Sequence, residues 1–346
     1  MKILITEPVN EKGIELLKEH GYEIAFGTGA DEETLIKEAK GCQGVLTRNG
    51  KFTKEVMDAL PELKVIAMHG VGVDCIDVDA ATKKGIQVTN AAGSNQEAVA
   101  EYTIGLILML AKKSIDYNNE FKVGNMEVRK RLGEDVCGKT LGIIGMGNIG
   151  TRVAKIAHNG LGMKVIGYNR HIVEDEETGY CTLTPDMKKL ISESDYLSLH
   201  LPATAQTAKM IGEKELLLMK PTAYLINTGR GEVVDEKALI KVLHDKKIKG
   251  AALDVFEGNL PKRDNPLLTM DNVIATPHTA AFTIEALERM SYQAALGITE
   301  VLEDKPVSFP VNHLKSNFET DKNISIVMDY FRYEFGYSTK EDRRTK

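Results

Sequence analysis

Three glycines spaced as Gly145-x-Gly147-x-x-Gly150 close the stretch Thr-Leu-Gly-Ile-Ile-Gly-Met-Gly-Asn-Ile-Gly at residues 140–150. Leu141, Ile143 and Ile144 read as a short buried strand that ends at the first of them. A chain built this way turns tightly, brings bare backbone up to a diphosphate, and packs the next helix, expected from Asn148 to His158, close to the sheet. A glycine pattern alone also arises in ordinary turns. Added weight comes from the strand Lys164 to Asn169, which ends about 20 residues on, where a dinucleotide fold places the side chain that reads the adenosine ribose. A second glycine turn, Gly70-Val71-Gly72-Val73-Asp74, also leaves a strand end. Its amides can hold a carboxylate, and a plain turn explains it equally well.

The elements that must position these turns alternate along the chain. Strands are expected at Ile3 to Thr6, Glu23 to Phe26, Gly44 to Thr47, Val65 to Met68 and Gln87 to Thr89, with helices near Lys12 to His20, Glu32 to Lys40, Thr53 to Leu60 and Val78 to Lys84 between them. Strand and helix in strict turn imply a parallel sheet covered on both faces. After a long apolar helix, Glu97 to Lys113, and a polar stretch, Asp116 to Gly138, six more strands follow: Leu141 to Ile144, Val165 to Tyr168, Tyr196 to Leu199, Ala223 to Asn227, Ala251 to Val255 and Val273 to Ala275. Six is the number in a full dinucleotide-binding sheet. The predicted fold class is α/β: two doubly wound parallel-sheet domains, the first flavodoxin-like, the second a Rossmann domain. Helix Thr283 to Leu302 is long enough to return to the first, which makes that domain discontinuous. The expected boundaries are 1–96 plus 285–312 for a substrate-binding domain, 97–284 for the dinucleotide domain, and 313–346 for an extension whose Tyr330, Phe331, Tyr333, Phe335 and Tyr337 suggest a docking strap or partial disorder.

At 346 residues and 42% hydrophobic, the chain can fill two cores. A net charge of -6, with both signs interspersed, argues against a nucleic-acid partner. Cys42, Cys75, Cys137 and Cys181 form no Cys-x-x-Cys pair, no His/Cys/Asp cluster has metal-ligand spacing, and no Ser/His/Asp hydrolase elbow is present. Thiols in a reducing cytoplasm and no metal are therefore expected. The apolar run Thr103 to Ala111 is too short to span a bilayer, and the start reads as a strand, so neither membrane nor export is expected.

The segments 70–77, 90–103, 145–150, 199–207, 227–239, 250–256 and 276–281 together resemble the D-isomer-specific 2-hydroxyacid dehydrogenases, the family that includes phosphoglycerate dehydrogenase and hydroxypyruvate/glyoxylate reductase. The likeness runs over about residues 1 to 312 and rests on the ordered series of motifs. It implies hydride transfer between NAD(P)H and C2 of a small 2-oxo or 2-hydroxy acid, in a cleft between two domains of a homodimer. Arg230, in Asn227-Thr-Gly-Arg-Gly-Glu-Val-Val-Asp235, becomes the clamp on carboxylate and carbonyl, and His278, in Thr276-Pro-His-Thr-Ala-Ala281, the acid and base. The family's third member is a glutamate five residues after the aspartate that corresponds to Asp254; here Asn259 stands there. An amide cannot support an imidazolium by charge. Either Glu257 substitutes, or the imidazole titrates nearer its ordinary range and reduction favours acidic pH.

The resemblance also assigns the amides of Asn148 and Ile149 to the diphosphate, His200, Pro202 and Thr207 to the adenosine side, and Thr228 and Asp254 to the nicotinamide. Val71, Gly72 and Asn95 are carried over for the substrate, with Arg48 at its far end. At the ribose position Asn169 removes the repulsion that an acidic residue would exert on a 2′-phosphate, and Arg170, with His171 behind it, can bond that phosphate. This favours NADP(H) over NAD(H); the alternative has Arg170 in solvent and Asn169 on the ribose. Two other functions are compatible with the motifs: a cofactor-sensing regulator with weakened catalysis, and phosphoglycerate dehydrogenase proper.

Overall fold

A computed structural model of the chain describes residues 1–172 and 174–314. These form two compact units, one of Met1–Asn95 with the described residues from Ile284 on, the other of Gln96–Thr283. The aromatic segment 330–337 lies outside the described residues.

In the first unit five short strands, β1 (Lys2–Ile5), β2 (Glu23–Phe26), β3 (Gly44–Thr47), β4 (Val65–Met68) and β5 (Gln87–Thr89), pair in the order β2-β1-β3-β4-β5. Every pairing is parallel, which is the flavodoxin-like winding. Alternation decides which helix covers which face. Leu4, Val45, Ile66 and Val88 meet Leu35, Val56, Met57 and Ala81 on one side. Ile3, Ile5, Leu46, Val65 and Ala67 meet Ala294, Ala295, Ile298 and Leu302 on the other. Each Leu or Ile so buried contributes about 1.5–3 kcal/mol, enough to draw helix Ile284–Leu302 onto a sheet that the chain left almost 200 residues earlier. Close approach is sequence-specific. A Cβ on Gly13 would lie 2.4 Å from Ser291 O, and Ser291 Oγ donates to Asn10 O at 2.6 Å.

In the second unit the strands are β6 (Thr140–Ile144), β7 (Lys164–Tyr168), β8 (Glu176–Glu177), β9 (Thr182–Thr184), β10 (Tyr196–Leu199), β11 (Tyr224–Asn227), β12 (Gly250–Leu253) and β13 (Val273–Ala275). Their order is β13-β12-β11-β10-β6-β7-β9-β8, parallel except for the β8–β9 pair. Within it β9-β7-β6-β10-β11-β12 is the Rossmann order. Helix Gln96–Lys112 buries Ala100, Ile104 and Ile107 against Leu141, Ile143, Tyr224 and Ile226, so it belongs to this unit. It stops at Lys113, whose φ of 52° breaks the helix.

Two expectations are corrected. The second sheet has eight strands, not six. β8 and β9 are two and three residues long, too short to carry a period, and are joined by a turn in which Thr178 Oγ1 donates to Cys181 O at 2.8 Å. The polar stretch after Lys113 holds a helix, Ser114–Lys122, and a 3-10 turn, Met126–Lys130. Helix Ser114–Lys122 buries no residue, so it left no apolar stripe to read. Among the described residues no helix is long and apolar enough to cross a membrane.

Candidate active site

β6 and β10 are neighbours at the point where the winding of the second sheet reverses, and ligands of open α/β sheets sit outside the strand ends there. The three glycines that follow β6 differ in what constrains them. Gly145 has φ 106°, and a Cβ there would lie 2.4 Å from His200 O. A Cβ on Gly150 would lie 2.1 Å from Gly145 O. Around Gly147, by contrast, no atom of the described residues beyond its own chain neighbours lies within 4 Å of the added Cβ. That gap opens in front of helix Asn148–Leu161, whose N-cap is Gly147, with no side-chain cap and no acidic residue in its first turn. Uncapped N–H groups at the positive end of a helix dipole fit an anionic diphosphate. The residues present thus suit the dinucleotide that the glycine spacing implies.

The β10 loop lines the same reversal. His200 Nε2 is 2.9 Å from Ser198 Oγ, and Nδ1 is 3.5 Å from Thr228 Oγ1, which pairs with Thr103 Oγ1 at 2.9 Å. Desolvation pushes the His200 imidazole down to about 4, so it is neutral at pH 7. Thr207 Oγ1 donates to Pro202 O at 2.6 Å and closes the loop between them. Beyond β7, Asn169 Oδ1 accepts from the His171 amide at 2.9 Å, while Arg170 and His171 are exposed, with Arg170 Nε 3.4 Å from His171 Nε2.

At the carboxyl edge of β11, β12 and β13 the register aligns Asn227 with Leu253 and Leu253 with Ala275. Arg230 and His278 therefore leave the same edge, with Asp254 between them. Asn227 holds the first loop: its Nδ2 donates to Arg230 O at 2.9 Å and its Oδ1 accepts from Gly229 N at 3.0 Å. Asp254 holds the second and is fully buried. Its Oδ1 accepts from Thr276 Oγ1 at 2.7 Å and Thr279 N at 2.9 Å, its Oδ2 from Ala280 N at 2.9 Å, and its carbonyl from His278 N at 2.9 Å. This clamp keeps His278 at φ 56°, a left-handed conformation rarely adopted outside glycine.

His278 Nδ1 is hydrogen-bonded to Asn259 Oδ1. The nearby carboxylate of Glu257 lies 3.7 Å from Lys209 Nζ instead. The imidazole thus meets an amide oxygen at Nδ1, and the Glu257 carboxylate meets a lysine. Asn259 has φ 79°, which asparagine tolerates better than glutamate.

In the first unit, Arg48 follows β3, its amide donating to Glu7 Oε2 at 2.9 Å and Nη1 to Pro8 O at 3.3 Å. Gly70 has φ 154°, Val71 is 38% exposed, and Asn90 Nδ2 donates to Val71 O at 2.8 Å, which presents the Val71–Gly72 turn to solvent. Asn95 Oδ1 is buried without a hydrogen-bond partner among the described residues. No cluster among the described residues has the makings of a metal site.

A Rossmann sheet with an open diphosphate cradle at its switch point, and an arginine and a histidine at one edge, defines a dinucleotide-binding α/β protein. Residues 104–280 match the profile of the D-isomer specific 2-hydroxyacid dehydrogenase NAD binding domain, and the chain belongs to that family. It is 42% identical over 314 residues to the D-3-phosphoglycerate dehydrogenase of Methanocaldococcus jannaschii, covering 90% of this chain but 59% of that one. The glyoxylate reductase of Korarchaeum cryptofilum is 38% identical, with 85% of this chain and 90% of that one covered. A solved acyclic imino acid reductase in complex with NADPH and D-Arg superposes with TM-score 0.79 at 32% identity, covering 90% of this chain and 99% of that one.

Proposed function

We propose that the chain is a cytoplasmic NAD(P)H-dependent oxidoreductase that reduces C2 of a small 2-oxo acid to a D-2-hydroxy acid. What carries the reading is the shared edge of β11 and β13, where Arg230 and His278 flank buried Asp254. The Arg230 guanidinium grips the carboxylate and polarises the carbonyl. When bound, the reduced nicotinamide supplies the hydride to C2. Because Asn259 occupies Nδ1, proton exchange with the substrate oxygen falls to His278 Nε2. The amides of Asn148 and Ile149 hold the diphosphate; the His200–Thr207 loop borders the adenosine and Thr228 the nicotinamide. In the first unit, the Val71–Gly72 amides and Asn95 are assigned to a carboxylate and Arg48 to the distal group. Glyoxylate, hydroxypyruvate, pyruvate and phosphohydroxypyruvate, each with NADH and NADPH, form the deciding panel. Cofactor binding without turnover of any of them overturns the proposal in favour of a cofactor sensor.

NADPH is the proposed preference, supported by Asn169 in place of an acidic residue and by exposed Arg170. Arg170→Ala then raises the KM for NADPH by about tenfold and leaves NADH almost unchanged; an equal effect on both refutes it. A homodimer is also proposed, supported by Phe121, Val123, Met126 and Leu132, exposed by 64, 79, 51 and 81% in one stretch. Sedimentation of the whole chain and of a Leu132→Asp variant tests it.

One observation favours a second reading, reduction of 2-imino acids. A protonated C=N already carries the proton that a carbonyl must be given, so an imidazole backed by Asn259 rather than a carboxylate suffices. Adding methylamine to pyruvate and NADPH near neutral pH then yields an N-methyl amino acid faster than lactate; lactate alone excludes the reading.

A further inference from the structure

The turn that carries Asn259 is held from outside. It runs Phe256-Glu257-Gly258-Asn259, closed by Asn259 N donating to Phe256 O at 2.9 Å, with φ of 80° at Gly258 and 79° at Asn259. Two successive left-handed residues, one of them not glycine, form a conformation that needs external support. Two side chains from the Arg230 segment supply it. Glu232 Oε1 accepts from Gly258 N at 3.2 Å, and Glu236 Oε2 accepts from Glu257 N at 3.0 Å. The second oxygen of Glu236 accepts from Asn265 Nδ2 at 2.8 Å, tying down the chain beyond the turn.

The backbone makes the same connection. A Cβ on Gly231, next to Arg230, would lie 1.9 Å from Phe256 O, so only glycine allows the two loops to touch. Glu232 is itself anchored, because its carbonyl accepts from Lys209 N at 2.7 Å. A continuous path of contacts thus runs from Arg230 through Glu232 and Glu236 to the turn, and through Asn259 to His278.

We propose that Glu232 and Glu236 are positioning residues: by accepting the N–H groups of Gly258 and Glu257 they fix Asn259, and through it the tautomer and orientation of the His278 imidazole. With Nδ1–H donated to the Asn259 oxygen, Nε2 is the proton-exchanging nitrogen of the neutral ring. Loosening the turn lets the ring sample the other tautomer and other orientations, and misplacement of about 1 Å at a reacting group costs up to about 100-fold in rate. The catalytic part of this inference rests on the acid/base role proposed above for His278; the structural part does not.

The test compares Glu232→Ala/Glu236→Ala with Glu232→Gln/Glu236→Gln in the full chain. Glyoxylate and NADPH are the kinetic probes, and 15N imidazole NMR of the cofactor-free protein is the second readout. The alanine pair is expected to lower kcat by about 10- to 100-fold with KM little changed and to displace the pH profile. It should also turn a single His278 tautomer into an averaged signal. The glutamine pair, which keeps an acceptor oxygen at each site, should restore kcat and tautomer close to wild type. An unchanged tautomer and pH profile in the alanine pair overturns the proposal, as does a glutamine pair as impaired as the alanine pair. If the wild-type chain turns over neither oxo acids nor imino acids, the proposed function fails, and the NMR comparison still decides whether the turn is held by these two carboxylates.

Discussion

The Nδ1 edge of His278 is hydrogen-bonded to the side-chain oxygen of Asn259, a neutral group where the family resemblance implies a carboxylate. A carboxylate at this distance favours the protonated imidazole by about 1 to 3 pH units, and an amide does not. Asn259→Glu is expected to move the alkaline limb of reductive kcat/KM upward by about 1 to 3 pH units. A superimposable profile would show that Asn259 does not govern the acid.

Asp254 uses both carboxylate oxygens on the His278 loop. In Asp254→Asn the amide nitrogen turns a donor toward either Thr279 N or Ala280 N, leaving that backbone N–H unmatched. The expected cost is about 1–3 kcal/mol in urea unfolding, and kcat falls further than stability alone explains because His278 loses its support. Retention of wild-type stability would mean that the loop holds its shape without the carboxylate.

The glycines of the cradle make separable predictions. An added methyl at Gly147 meets nothing among the described residues beyond its chain neighbours, whereas at Gly150 it meets Gly145 O at 2.1 Å. Gly147→Ala should melt with the wild type yet bind NADPH at least about tenfold more weakly, because the methyl occupies the diphosphate approach. Gly150→Ala should lose stability whether or not cofactor is present. If Gly147→Ala binds NADPH normally, the diphosphate lies elsewhere.

His69, at the end of β4, is 6% exposed, and its imidazole is pushed down to about 4, first by desolvation and then by the Arg48 charge. Between that value and about 6.5 the unfolded chain binds a proton that the folded chain refuses, so stability falls as pH is lowered through this window. The full effect is on the order of 3 kcal/mol. His69→Asn should flatten the acid side of the Tm profile between pH 6.5 and pH 4. Parallel profiles for variant and wild type would assign the acid sensitivity to other groups.

Much of this was legible in the sequence because the signals are local. The strand runs of the first unit, the spacing of Gly145, Gly147 and Gly150, and the length of helix Ile284–Leu302 each need only neighbouring residues to be read. β8 and β9 were not legible, because strands of two and three residues carry no period and exist only by pairing along β7.

The sequence by itself determined two α/β units, a dinucleotide cradle, and Arg230 and His278 as the residues that match the family's chemistry. It also placed an amide, Asn259, where the family resemblance implies a carboxylate. Only the tertiary structure shows which side chain His278 Nδ1 meets. Whether Glu257 or Asn259 meets His278 depends on a left-handed turn bonded by Glu232 and Glu236 from another loop, and on Asp254, which holds the His278 loop. Those bonds join residues 21 to 26 positions apart, where helical or strand periodicity carries no information and only the packed edge of the sheet brings donor to acceptor.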